Sequence, residues 1–118
     1  MAVHLHPELL CITYDRLRFT APFRRWKLPP GEQISFHVTN HDDRYGHFTE
    51  CKRWKFIRIG ASRKNVKTLA MLDYVISHEM VHLRLHLIKC KEKDDHGKHF
   101  KKLAAQVCRV HRFPKDHF

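Results

Sequence analysis

Residues 65–90, NVKTLAMLDYVISHEMVHLRLHLIKC, contain no glycine or proline, and they decide the fold of this chain. Apolar residues recur there at steps of three and four, at Leu69, Leu72, Ile76, Met80, Leu83 and Leu87. This spacing is typical of an α-helix with one buried face. On a helical wheel Met71, Val75, His78 and His82 form a neighbouring stripe. We therefore predict a helix that is buried nearly all round, with its imidazoles lining an internal site.

The same helix carries the motif HEMVH at residues 78–82. Because four residues are a little over one turn, the imidazoles of His78 and His82 leave one face of the helix about 5–6 Å apart. That separation allows them to share a tetrahedral Zn²⁺. Glu79 flanks this face, where a carboxylate can take a proton from an attacking water without being a ligand. The alternative is that both histidines are hydrogen-bonded core residues, but the cost of burying polar groups favours a metal site with Glu79 as the catalytic base.

A catalytic zinc site normally takes three protein ligands, so a third must come from outside the motif. The charged segment KEKDD at 91–95 predicts a loop, and a second helical pattern follows it with Phe100, Leu103, Val107 and Val110. His96 lies where that pattern begins, and an antiparallel return of the chain would bring it over the motif histidines. We predict His96 as the third ligand, with His99 and His86 as alternatives.

Three parts of the sequence together resemble the SprT-like metalloprotease family. They are HEMVH at 78–82, a thirteen-residue linker that ends in Asp94-Asp95, and HGKHF at 96–100. A weaker likeness extends upstream, through Tyr14-Asp15-Arg16-Leu17, Phe23, Trp26 and Leu28-Pro29, to that family's first helix and its exit into the sheet.

The resemblance implies a zincin-like fold and a zinc-dependent endopeptidase with one zinc per chain. It also implies that His78, His82 and His96 are the zinc ligands and that Glu79 is the base. The substrates implied are proteins near DNA or crosslinked to it. Many family members add a zinc ribbon built from two Cys pairs, but Cys11, Cys51, Cys90 and Cys108 form no CxxC. We therefore expect the catalytic core alone.

Two other HExxH classes fit less well. A metzincin would need Gly and His where this chain has Leu85 and Ile88. A thermolysin-like site needs a later Glu ligand, and Glu92, in the charged loop, is the one Glu after the motif. Outside the peptidases, the alternative is a nucleic-acid-binding module in which zinc only braces the fold.

The order of patterns along the chain predicts one α+β domain over residues 1–118. A first helix is expected over 7–19, and Leu28-Pro29-Pro30-Gly31 turns the chain. Alternation predicts strands over 34–39, 47–51 and 56–59, with a hairpin tip at 52–55. We expect an antiparallel three-stranded sheet with the N-terminal, HExxH and C-terminal helices against one face. An outer strand could accept an extended peptide beside the metal.

The chain is strongly basic, with a formal net charge of +11. Residues 51–67 hold seven basic residues and no acidic one. Such density favours contact with DNA or RNA, although a solvated basic surface is the alternative. Lys52, Arg53, Trp54 and Lys55 are the candidate contacts, since Trp54 could stack on an unpaired base or instead pack over the core.

The sequence also indicates in which compartment of the cell the protein is located. The first residues, MAVHLH, lack the pattern of a signal peptide, and we expect no membrane span. Four irregularly spaced cysteines fit reduced thiols better than a disulfide framework. We expect an intracellular protein, cytoplasmic in a bacterium or virus and nuclear in a eukaryote.

Overall fold

One helix precedes three consecutive strands and two helices follow them, an α+β order, as the sequence predicts. A computed structural model describes residues 3–54, 56–90 and 96–114. Its elements are helix α1 (Pro7–Arg18), short 3-10 turns at Phe23–Arg25 and Gly31–Gln33, strands β1 (Ile34–Thr39), β2 (Gly46–Cys51) and β3 (Phe56–Ser62), and helices α2 (Leu69–Leu87) and α3 (Lys98–His111).

The sheet is mixed, so the expected antiparallel meander is wrong. The strand order is β1-β3-β2, with β1 parallel and β2 antiparallel to β3. β3 is also longer than predicted and continues to Ser62, because Gly60 and Ala61 pair with both neighbouring strands and Ser62 pairs with β1. From Ile59 to Ser62 every residue of β3 is buried. A strand so deeply buried is most stable in the centre of a sheet, where both of its edges are paired.

The core forms between one face of this sheet and the helices. Helix α2 contacts β2 and β3, α1 contacts β1 and α2, and α3 packs against α2. The apolar stripe of α2 is confirmed in its middle, where Leu72, Ile76, Met80 and Leu83 are fully buried. It is wrong at its ends, since Leu69 is 57% and Leu87 39% exposed. These two residues are the first and last of the helix, where it leaves the core.

The ends of the helices follow local capping chemistry. Thr68 is the N-cap of α2, and its hydroxyl oxygen accepts a hydrogen bond from the Met71 N–H at 3.1 Å. Gly97 is the N-cap of α3, which therefore starts at Lys98. The sequence pattern placed His96 at the beginning of the last helix. In the structure His96 instead precedes this helix.

The described part of the chain contains no helix that is both long and apolar enough to cross a membrane.

Candidate metal centre

Three histidine side chains converge beside the middle of α2. The Nε2 atom of His96 lies 3.1 Å from Nε2 of His78 and 3.2 Å from Nε2 of His82. Tetrahedral ligands at Zn–N distances of 2.0–2.1 Å stand about 3.3 Å apart, so this spacing is that of imidazoles around one small cation. The candidate ligand atoms of the three residues all lie within 4.8 Å of one another. The group could therefore hold a metal ion.

Different elements bring the three residues together. His78 and His82 are one turn apart on α2, as the motif spacing requires. His96 comes from the segment before α3, whose Phe100 is 1% exposed and packs against all three imidazoles. Its ring centroid lies 5.0 Å from that of His78 and 4.6 Å from those of His82 and His96. Phe100 thus supports all three imidazole rings, a role that could not be assigned to it from the sequence.

The electrostatics of the group favour neutral imidazoles. Burial, together with charge repulsion from the neighbouring His82 and His96, lowers the pKa of His78 to about 3. At neutral pH His78 is therefore uncharged, which is the form that binds metals.

Glu79 lies beside this group and is only 5% exposed. Burial raises the pKa of its carboxyl to about 8, against the opposing effect of the Arg44 charge. A buried carboxyl with a raised pKa beside candidate metal ligands is typical of a group that exchanges protons.

A cavity of about 130 Å³ opens in front of Glu79 and His78. Tyr45, Gly46, Tyr74 and Val75 complete its lining. Gly46 is required here because a Cβ atom would lie 2.6 Å from Cγ1 of Val75 and 3.1 Å from Oε2 of Glu79. Without a side chain at this position, β2 approaches α2 closely enough to form one wall of the cavity.

The loop of residues 40–45 places Tyr45 and Gly46 at this cavity. It crosses the end of β3 to connect β1 with β2. The Asn65 side chain donates to the carbonyl oxygens of His41, Asp42 and Arg44, at 3.1, 3.2 and 2.6 Å. Ser62 also donates from its hydroxyl to the His41 carbonyl, at 2.6 Å. The gap between the predicted strands at 34–39 and 47–51 indicated a connection here but not its place at the site, for which the glycine at the start of β2 was a weak indication.

The two alternative third ligands lie elsewhere. His86 points to β2, where its Nδ1 lies 3.3 Å from Oε2 of Glu50. His99 is exposed in the first turn of α3, and neither residue belongs to the group of three histidines that could hold a metal ion.

The predicted nucleic-acid contacts are not part of the histidine group and lie at the turn between β2 and β3. Lys52, Arg53 and Trp54 are exposed, and the Arg53 guanidinium lies 5.2 Å from the Trp54 ring centroid. Trp54 is 67% exposed, so it does not pack over the core. Lys55 lies outside the described residues.

A comparison with known protein families shows to which family the chain belongs. The model of the SprT-like family matches residues 13–117, from the middle of α1 to beyond α3. The chain belongs to the SprT-like family. No curated protein and no solved structure matches the chain.

The SprT-like match includes the part of the chain that carries the histidine group. It indicates a metallopeptidase-like domain, and the match includes α2, the segment before α3 and all three histidines that could hold a metal ion. The assignment of His78, His82 and His96 as ligands and of Glu79 as the base stays a prediction, now supported by their proximity.

Proposed function

We propose that this SprT-like domain is a zinc-dependent endopeptidase. The observation that carries the proposal is the convergence of three imidazole Nε2 atoms, one of which belongs to His78, a residue that lines the same cavity as the buried Glu79. Within the described residues the group has three members. Three protein ligands are typical of catalytic zinc sites, whereas structural zinc sites are usually closed by four.

The donor set fits zinc. Imidazole nitrogens suit Zn²⁺ among the common ions, and His78, His82 and His96 would hold it. When bound, zinc supplies a Lewis acid that polarises a peptide carbonyl and makes water more acidic. Phe100 keeps the three rings in place, so little rearrangement would be needed on binding.

Glu79 is proposed as the proton carrier. One carboxylate oxygen would accept the proton of the attacking water and later deliver it to the leaving amine. Burial raises the pKa of this carboxyl, and a nearby cation would lower it again by favouring the charged form. The close approach of Gly46 confines the carboxyl between α2 and β2.

The edge of β2 offers a place for an extended substrate. β2 is an outer strand of the described sheet, and its Phe48 lies against His82, with ring centroids 6.3 Å apart. A peptide that pairs with this edge would run beside the metal-binding group. Backbone pairing would bind many sequences, which suits an enzyme without one preferred side chain.

We further propose that the substrates are DNA-associated or DNA-crosslinked proteins. The support is the net charge of +11 and the exposed cluster at the turn after β2. A substrate held on the same DNA would arrive at high effective concentration. Replacing Lys52, Arg53 and Lys55 together with Ala should weaken DNA binding and DNA-stimulated cleavage while zinc content is kept. Unchanged DNA affinity at physiological salt would remove this turn from the interface.

The cysteines support an intracellular location as part of the same proposal. All four are described as thiols rather than disulfides, which suits a reducing compartment.

The experiment that tests the enzyme is metal analysis combined with cleavage of an unstructured protein. We expect one zinc per chain, loss of cleavage on chelation and its return with zinc. A chain that binds zinc and DNA but cleaves no protein under any condition would support the alternative of a binding module with a structural zinc site.

A further inference from the structure

The sheet face opposite the helices carries a cationic pocket. Along β3, Ile59 and Ala61 are in the core, so Arg58 and Gly60 belong to the other face. Both His37 of β1 and His47 of β2 are register partners of Gly60. The two imidazoles therefore flank the central strand on its outer side.

Gly60 makes room for the His47 ring. A Cβ atom at position 60 would lie 1.9 Å from Cε1 of His47 and 2.5 Å from its Nδ1, so the ring lies directly over the glycine. His47 is thereby turned inward over the sheet instead of extending into solvent, and its side chain is half-buried. Any larger residue at position 60 would displace this imidazole.

Basic side chains line the pocket. It has a volume of about 360 Å³, and its lining includes two threonines and the basic side chains of His37, His41, Arg44, His47 and Arg58. No carboxylate is among the lining residues in the described part of the chain.

Electrostatic repulsion acts among these basic side chains. Asp42, in the same loop as His41, pairs with Lys64 at 3.0 Å. Burial lowers the pKa of His47, and Arg44, His41, His37 and Arg58 lower it further through repulsion. An anion that accepts hydrogen bonds would relieve this repulsion, and arginines with histidines are typical partners of phosphate oxygens.

Two aromatic residues lie beyond the pocket, at the start of β3 and in the turn before it. Phe56 lies two residues before Arg58 on β3, and the Arg58 guanidinium carbon is 5.6 Å from the Phe56 ring centroid. The exposed Trp54 lies in the turn between β2 and β3, two residues before Phe56. Aromatic rings beside a row of cations are the usual means of binding unpaired bases and their phosphates.

We propose that the pocket on the outer sheet face binds a backbone phosphate of single-stranded nucleic acid. The inference deepens the proposed association with DNA and rests on it, but it does not depend on peptidase activity. It assigns the phosphate to His37, His47 and Arg58, with bases stacking towards Phe56 and Trp54.

The test measures binding of a fluorescent thymidine oligonucleotide to the full zinc-loaded chain by anisotropy. Arg58→Gln should weaken binding by about tenfold or more, since a charge-assisted contact is lost. It should also reduce the slope of log affinity against log salt by about 0.7 for each lost phosphate contact. Arg58→Lys retains the charge and should retain most of the affinity. Zinc content and the thermal unfolding midpoint verify that each variant is folded.

The matched control is Arg109→Gln, which removes the same charge from an exposed position on α3. Because α3 packs on α2 rather than on this sheet face, we expect a loss of less than about twofold at physiological salt. In NMR spectra, the oligonucleotide should shift the imidazole resonances of His37 and His47.

Three outcomes would overturn the proposal. Equal weakening by Arg58→Gln and Arg109→Gln would indicate diffuse attraction by net charge. Equal affinity for duplex and single strand would exclude the stacking. Histidine shifts with inorganic phosphate but none with the oligonucleotide would indicate a site for small anions. None of these readouts requires cleavage, so failure of the peptidase proposal would be seen separately, in zinc content and proteolysis.

Discussion

Helix α2 and the loop of residues 40–45 meet at the same cavity but are organised in different ways. In α2, the spacing of His78 and His82 is fixed by helical geometry, which needs only a continuous helix. In the loop, the position of Tyr45 depends on hydrogen bonds from Ser62 and Asn65, about twenty residues further along the chain. Local geometry therefore provides the candidate ligands, while tertiary contacts shape the space in front of them.

The largest effect should come from the helix itself. His82→Ala removes one of three candidate ligands, so we expect zinc affinity to fall by more than about 100-fold, beyond what loss of a residue that only supports a ligand costs. Zinc per chain after dialysis measures this. His86→Ala, one turn further on, is the control and should keep its zinc. Zinc retained in His82→Ala and lost in His86→Ala would reassign the site.

The next effect separates coordination from catalysis within α2. Glu79→Gln should keep zinc and fold but slow cleavage by about 10²–10⁴-fold, because the amide cannot accept the proton. Initial rates on an unstructured protein, alongside metal analysis, give the result. Wild-type rates in this variant would rule out Glu79 as the base.

A smaller effect is expected from the loop. Asn65→Ala removes the donor to three loop carbonyls, so the free energy of unfolding should fall by about 1–3 kcal/mol. Cleavage should fall while zinc remains bound, because the ligands are not in the loop. The measurements are chemical denaturation and metal content.

Lys64→Gln is the control for the loop. It breaks the exposed Lys64–Asp42 pair and should change stability by less than about 0.5 kcal/mol. If Asn65→Ala released zinc as readily as His82→Ala does, the proposed separation of the two regions would be wrong.

The smallest effect concerns the start of α2. Thr68→Ala removes the N-cap hydrogen bond and should lower the free energy of unfolding by about 1 kcal/mol. Zinc affinity should be unchanged, since His78 lies more than two turns away. Thr68→Asn keeps a capping oxygen and should retain stability near that of the wild type. A loss of zinc in Thr68→Ala would mean that the ligand geometry depends on the helix end.

The same division explains what the sequence could predict. The periodicity of residues 65–90 and the HExxH spacing are local, so α2 and the closeness of His78 and His82 followed directly. The prediction of His96 rested on the assumption that the charged loop turns the chain back antiparallel, and the family resemblance then supported it. Alternation along Ile34, Phe36 and Val38 indicates which face of a strand is buried but not which strand lies next to it. For that reason β3 could not be recognised as the central strand, nor Tyr45 and Gly46 as neighbours of Glu79.

The crossing of loop 40–45 over the end of β3 also decides where this domain can be lengthened. Extra residues in the loop would shift the carbonyl groups that Asn65 holds and would carry Tyr45 away from its place. Residues 52–54 of the hairpin turn are exposed, and doubling the length of such a turn costs only about 0.6 kcal/mol. The fold should therefore tolerate an insertion between β2 and β3, at the expense of the nucleic-acid contacts proposed there.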